Sequence, residues 1–316
     1  MIHRRHLLGR LLGTLALGLG ALLLPGCKKP SAGQPNARKL VIVCTTSIVG
    51  DMVGRVAGDR AGVTSLMGEG VDPHLYKAST GDVRALSDAD VIFYSGIHLE
   101  GKMGEVLEKL ATSRPVVALA DAVPQAQLRA FGPNAHDPHL WFDVSLWKLG
   151  AARVADTLAK ADPANASLYA ANAKALEAEL GQLDTQIRAI LDVVPQDRRV
   201  LVTAHDAFGY FARAYGFEVH GIQGVSTESE ASLKDVNALV DLLVSRKIPA
   251  VFVESSVPRK TIDALIEGCQ SRGHAVSIGG QLFSDAMGRP GTPEGTYPGM
   301  VLHNARVIAD ALKEPK

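Results

Sequence analysis

Residues 162–195 read DPANASLYAANAKALEAELGQLDTQIRAILDVVP, and the fold turns on what this stretch forms. Asp162 before Pro163 is the pattern of a helix cap followed by proline in the first turn, where the missing N–H costs nothing. The body is rich in Ala, Leu, Glu, Lys and Gln, with Gly181 its single glycine, and Pro195 closes it. About 30 residues at ~1.5 Å each predict a rod of roughly 45 Å, longer than one lobe needs. The stretch therefore reads as a stiff helix that joins two lobes.

On both sides the chain alternates short β-branched runs with longer amphipathic ones, the signature of α/β lobes with mainly parallel sheets flanked by helices. Before the rod, strands are expected at residues 40–44, 63–67, 91–94 and 116–119, with helices at 49–57, 80–87 and 102–111. A further helix is expected to start near Val144. After the rod, strands are expected at 200–203, 218–222, 250–253 and 275–278, with helices near 206–215, 233–245, 259–272 and 299–312. The division that follows is an N-terminal lobe (39–161), a linking helix (162–195) and a C-terminal lobe (196–316). About 280 residues suffice for two such lobes.

Residues 1–27 belong to neither lobe. Arg4 and Arg5 precede a run from Leu7 to Leu24 whose single charge is Arg10, ending at Pro25-Gly26-Cys27. This reads as an export signal with a lipidation cysteine, Cys27, in place of a transmembrane anchor, because a polar stretch follows at once. Arg4-Arg5-His6-Leu7-Leu8 also resembles a twin-arginine signal. Residues 28–38, rich in Pro, Gly, Ser and Asn, read as a flexible tether. Loss of the signal leaves 30 basic against 33 acidic side chains, a formal net near −3, so nothing draws the chain to nucleic acid. The remaining cysteines, Cys44 and Cys269, are far apart and read as buried small hydrophobes, not as a disulfide.

The chemistry lies in a repeat. Asp72-Pro73-His74-Leu75-Tyr76 recurs as Asp137-Pro138-His139-Leu140-Trp141, each copy presenting a histidine on a proline-stiffened loop. Two later residues complete a set: His205 in Thr203-Ala204-His205-Asp206 and Asp285 in Phe283-Ser284-Asp285. Three imidazoles and one carboxylate make a full set of ligands for a transition metal. Open α/β sheets bind ligands beyond the carboxyl ends of their strands, which is where His74, His205 and Asp285 fall. His139 sits on the loop leading to the helix near Val144. Two ligands from each lobe place the metal at the interface between them.

Plainer roles exist for single residues. His98, His220, His274 and His303 read as surface or hydrogen-bonded side chains, and Asp285 alone would pass for a helix cap. Asp72 and Asp137 serve either as turn residues or as acceptors behind the imidazoles. Glu254, at the end of the strand at 250–253, and His136, three residues before His139, are candidates to support the ligands from behind.

At these positions the chain resembles the metal-binding lipoproteins of bacterial ABC importers for zinc and manganese, the cluster A-I or TroA-like solute-binding proteins. The resemblance covers essentially the whole chain. It is carried by Thr45-Thr46-Ser47-Ile48-Val49, Val71-Asp72-Pro73-His74, Asp137-Pro138-His139-Leu140-Trp141-Phe142-Asp143, the run from Thr203 to Phe211, Glu254-Ser255, and Phe283-Ser284-Asp285-Ala286-Met287-Gly288. It implies that His74, His139, His205 and Asp285 hold the ion. It also implies that the long helix limits hinge motion, and that the chain acts as a monomer on the outer face of the cytoplasmic membrane, handing zinc or manganese to a permease and its ATPase.

The resemblance bears on the metal as well. Manganese-dedicated members often carry Glu where this chain has His205, so three His and one Asp resemble the zinc or mixed branch. Many zinc-dedicated members carry a long His-rich loop before the second ligand, whereas residues 121–137 here hold His136 alone. Imidazole favours zinc over manganese on ligand softness. No catalytic cofactor is expected. The rivals are a secreted zinc hydrolase, with Glu254 or Asp206 as base, and a metal-binding surface adhesin. Four protein ligands fill a tetrahedral shell and leave no activated water, which favours binding over catalysis. Protons compete for imidazole, so affinity is expected to fall below about pH 6.

Overall fold

The computed structural model describes residues 38–133 and 135–313. The expected signal (1–27), the expected lipidation cysteine Cys27 and the expected tether up to residue 37 lie outside them. Lys39–Lys316 form one compact unit. Among the described residues no helix is long and apolar enough to cross a membrane.

The first half opens with β1 (Leu40–Thr46), α1 (Ser47–Ala57), β2 (Ala61–Met67), α2 (Thr80–Asp88), β3 (Val91–Tyr94), α3 (Gly104–Ala111) and β4 (Val116–Ala118). Its strands form one parallel sheet in the order β2-β1-β3-β4. Residues Ile42 to Thr46 of β1 are buried without alternation, except that Val41 before them is exposed, as expected of a parallel strand covered on both faces. A short antiparallel hairpin follows, β5 (Ala130–Gly132) with β6 (Ala135–His136), and then α4 (Val144–Trp147) and α5 (Leu149–Ala161).

The long helix is α6 (Ala166–Leu191), 26 residues. It buries Tyr169, Ala173, Leu176, Leu180, Leu183, Ile187 and Leu191, a spacing of three and four that forms one apolar stripe. Beyond it come β7 (Val200–His205), α7 (Gly209–Tyr215), β8 (Glu218–Gln223), α8 (Leu233–Ser245), β9 (Ala250–Glu254), α9 (Lys260–Ser271), β10 (Ser277–Leu282) and α10 (Tyr297–Leu312). Here β7 pairs in parallel with β8, and β9 with β10.

A single apolar core runs from Ile42, Phe93 and Trp141 through the buried stripe of α6 to Phe208, Tyr210, Phe252 and Ile308. Each half adds a smaller cluster of its own, around Met67 and Ile92 in the first and around Val202 and Val251 in the second. Rings also meet across the halves: Phe142 and Phe208 stack with centroids 4.3 Å apart. Each fully buried large apolar side chain contributes roughly 1.5–3 kcal/mol to the fold, so this shared core ties the stability of the two halves together.

Three expectations need correction. Pro163 opens a separate 3-10 turn, Pro163–Asn165, so the rod starts at Ala166 and is shorter than expected. His205 is the last residue of β7, not the first beyond it. The last strand runs Ser277–Leu282 because Gly279 and Gly280 continue it through a bulge instead of ending it. The stretch before the second ligand contains the β5–β6 hairpin, with His136 paired to Ala130. Cys44 and Cys269 are both buried and free, as expected.

Candidate metal centre

The two Asp-Pro-His turns are built alike. Asp72 Oδ1 accepts the backbone N–H of His74 at 2.9 Å, and Asp137 Oδ1 accepts that of His139 at 2.9 Å. Proline between them fixes the turn, so each aspartate sets the direction of its histidine. The first turn follows β2 and the second follows the β5–β6 hairpin. His205 arrives on β7, and Asp285 lies three residues beyond β10.

These four residues meet. One donor atom from each of His74, His139, His205 and Asp285 lies within 4.8 Å of all the others, and all four side chains are buried. The Nε2 atoms of His139 and His205 are 3.4 Å apart. Asp285 Oδ1 lies 3.4 Å from His139 Nε2, and Oδ2 lies 3.4 Å from His205 Nε2. His74 Nε2 and Asp285 Oδ1 are buried atoms without a hydrogen-bond partner. Buried polar atoms are normally paired, so these two point to a ligand between them.

The outer nitrogens are held by carboxylates. His139 Nδ1 lies 2.7 Å from Asp137 Oδ1, and His205 Nδ1 lies 2.6 Å from Glu254 Oε2. A carboxylate can only accept, so Nδ1 carries a hydrogen and it is Nε2 that faces the centre, where it gives its lone pair to an ion once its own proton has left. Asp137 Oδ2 is in turn held by Arg129 at 2.9 Å, and Arg129 reaches Asp206 of the second half at 3.5 Å. Ser256 Oγ donates to Asp285 Oδ2 at 3.0 Å.

Burial and charge set the protonation of the centre. Burial foremost pushes His74 down to about 3, against the pull of Asp285, so this ring is neutral at any ordinary pH. Burial would also lower His139, but Asp137 and then Asp285 hold it up at about 9. His205 is raised well above its ordinary value, Glu254 and Asp285 outweighing burial. Asp285 is held well below the usual carboxylate range because His205 and His139 overcome the upward push of burial.

Of the supporting residues expected from sequence, Glu254 is in contact with His205, whereas His136 lines a cavity of about 480 Å³ that borders His74 and Pro138. Asp206 pairs with Arg129 and is not among the converging donors. Arg129, Ser256 and Thr227, which donates to Asp72 Oδ2 at 2.6 Å, carry no mark in the sequence. They come into view only when strands and loops distant in the chain lie side by side.

The family model of the zinc-uptake complex component A, periplasmic, matches residues 42–311. The zinc-binding protein TroA of Treponema pallidum is 50% identical over 302 residues, 95% of this chain and 96% of that protein. Its solved structure superposes with a TM-score of 0.86 over 88% of this chain and 100% of that one. The manganese-binding lipoprotein MntA of Bacillus subtilis is 49% identical over 291 residues, 92% of this chain and 95% of that protein. At 31% identity over 308 residues, 95% of this chain and 98% of the relative, there is the iron ABC transporter substrate-binding lipoprotein MtsA of Streptococcus pyogenes. Matched in sequence and in fold over nearly its whole described length, this chain belongs to the family of the periplasmic zinc-uptake component A, solute-binding proteins of metal importers and not enzymes.

Proposed function

We propose that the chain is the substrate-binding component of an ABC importer: it captures a divalent transition metal, zinc or manganese, outside the cytoplasmic membrane and delivers it to a permease driven by its ATPase. The ligands are His74, His139, His205 and Asp285, with Glu254 behind His205 and His136 at the cavity beside His74. The observation that carries this is the convergence of four buried donor atoms within 4.8 Å, two of them on imidazoles backed by carboxylates.

Capture is an exchange. The rings of His139 and His205 hold protons that a dication must displace, so two protons leave as two positive charges enter and the buried charge is unchanged. His74 has no proton to give up. Three imidazoles favour zinc over manganese at equilibrium. Both oxygens of Asp285 face the imidazoles, so the carboxylate is able to supply one donor or two as the ion requires. We further propose a signal at 1–27 cleaved before a lipid-bearing Cys27, a tether at 28–38, lobes at 39–161 and 196–316 joined through 162–195, and a monomer held at the outer face of the membrane.

Calorimetric titration of the mature protein with zinc and with manganese tests the proposal. One ion per chain, tighter for zinc, is expected, and His139→Ala should weaken binding at least about 100-fold. Binding absent in the unaltered protein, or unaltered affinity in the variant, overturns the ligand set. Growth of a host lacking the gene on metal-depleted medium separates an importer component from an adhesin.

A further inference from the structure

Granting the ligand set proposed above, we infer that Thr227 is a positioning residue for His74 and that the second-half loop carrying it governs how fast the ion leaves. The two Asp-Pro-His turns share their backbone bond but are anchored differently. In the second copy Asp137 also takes His139 Nδ1, and its other oxygen is held by Arg129, so ring and turn are fixed by side chains of the first half, with Asp206 of the second half touching only Arg129 behind them. In the first copy Asp72 reaches the backbone of His74, and its other oxygen is held by the buried hydroxyl of Thr227 from the second half.

The same loop is tied to the first half a second time. Lys102 Nζ meets Glu228 Oε1 at 2.5 Å, an exposed pair that helps to keep the loop down. Val225, Ser226 and Glu228 form one wall of the cavity of about 480 Å³ whose other walls include His74, His136 and Pro138. Of the four donor residues, His74 is the one that borders this cavity, at 3% exposure against 0% for His139 and His205. Lifting residues 224–230 therefore does two things in one movement. It frees Asp72, and with it the turn that aims His74, and it widens the space beside that ring.

Stopped-flow release of zinc to a chelator tests this, with calorimetry for affinity. Thr227→Val keeps the shape and removes the hydroxyl. Its zinc off-rate is expected to rise about tenfold, since each ~1.4 kcal/mol is a factor of ten and a hydrogen bond to a charged group is of that order. The on-rate should stay within about twofold, because association varies less than dissociation among variants of one site. Thr227→Ser, which restores the hydroxyl, should return the off-rate to that of the unaltered protein. If Thr227 acts through Asp72, adding Thr227→Val to Asp72→Ala, which has no polar end for the hydroxyl to meet, changes nothing further. An unaltered off-rate in Thr227→Val, no rescue by Thr227→Ser, or additive effects in the double variant each overturn the inference. Failure of the unaltered protein to bind zinc at all would sink the ligand set instead.

Discussion

Glu254 holds His205 at two points: Oε1 accepts its backbone N–H at 2.9 Å and Oε2 lies 2.6 Å from its Nδ1. One carboxylate thus fixes both the strand end and the tilt of the ring, and its charge makes Nε2 a stronger donor. Glu254→Gln keeps the shape and an accepting oxygen but removes the charge. Zinc affinity is expected to fall about 10–100-fold, measured by competition with a chelator of known affinity. Unaltered affinity would show that Glu254 serves the fold of β7 and β9 alone.

The protonation of the centre places its pH dependence higher than a free imidazole would. His139 is held at about 9 and His205 is also raised, so metal competes with protons well above the ordinary value of 6.5. Affinity for zinc is expected to rise with pH up to about 9, with close to two protons released per ion near pH 7. Titration in buffers of different ionisation heat counts them. For the metal-free protein the sign is opposite. A raised histidine pKa stabilises the fold fully below 6.5, and that contribution is lost as pH climbs through about 9. The gain in melting temperature on adding zinc should therefore grow between pH 6.5 and 9. A constant gain would contradict the raised pKa values.

Most of this centre was legible in the chain because its residues sit in a repeated motif and at strand ends, positions where an open α/β sheet presents ligands. Elements with strong caps were legible too: Ser232, whose hydroxyl accepts from Asp235 N, starts α8 where the sequence puts it. Element ends were less legible. The helix expected near 299–312 begins at Tyr297, because Pro298 fits the first turn after the cap Thr296. The strand expected at 275–278 runs on through Gly279 and Gly280, which do not end it. They are instead the places where a Cβ would collide with Ala311 and Val307 of α10, so their bareness lets that helix lie on β10. Such a close approach depends on partners about 30 residues away, which no local pattern records.

Glu100 is a buried carboxylate of another kind, one that serves structure. Its Oε1 accepts Thr45 Oγ1 and Ser95 N, both at 2.7 Å, and its Oε2 accepts Gly96 N at 3.2 Å, tying together the ends of β1 and β3. Gly96 has φ 97°, and a Cβ there would press on Ala118 and Ala120, so the loop that makes these bonds needs glycine. Glu100→Leu leaves two buried N–H groups and a hydroxyl without an acceptor. A loss of about 3 kcal/mol is expected in urea unfolding of the metal-free protein. Zinc affinity measured below the unfolding range should stay within about twofold, since Glu100 touches none of the four donor residues.

Trp141 joins the two sides of the centre and should report on it. Its Nε1 donates to Ser284 O at 2.9 Å, immediately before Asp285, and its own carbonyl accepts the hydroxyl of Tyr297 at 2.7 Å. Its ring stands edge-on to His139 with centroids 5.2 Å apart. A protonated imidazole quenches a neighbouring indole more strongly than a neutral one. In the metal-free protein His139 holds its proton up to about pH 9, and zinc, with a filled d shell, replaces that proton without quenching. Zinc is therefore expected to raise the fluorescence at pH 7 and to change it little at pH 10. The chain has two tryptophans, both buried, with Trp147 centred 6.4 Å from Trp141. Trp141→Phe should remove most of the response and Trp147→Phe should retain it. A zinc response that survives Trp141→Phe, or one of equal size at pH 7 and pH 10, would show that the proton on His139 is not what the indole senses.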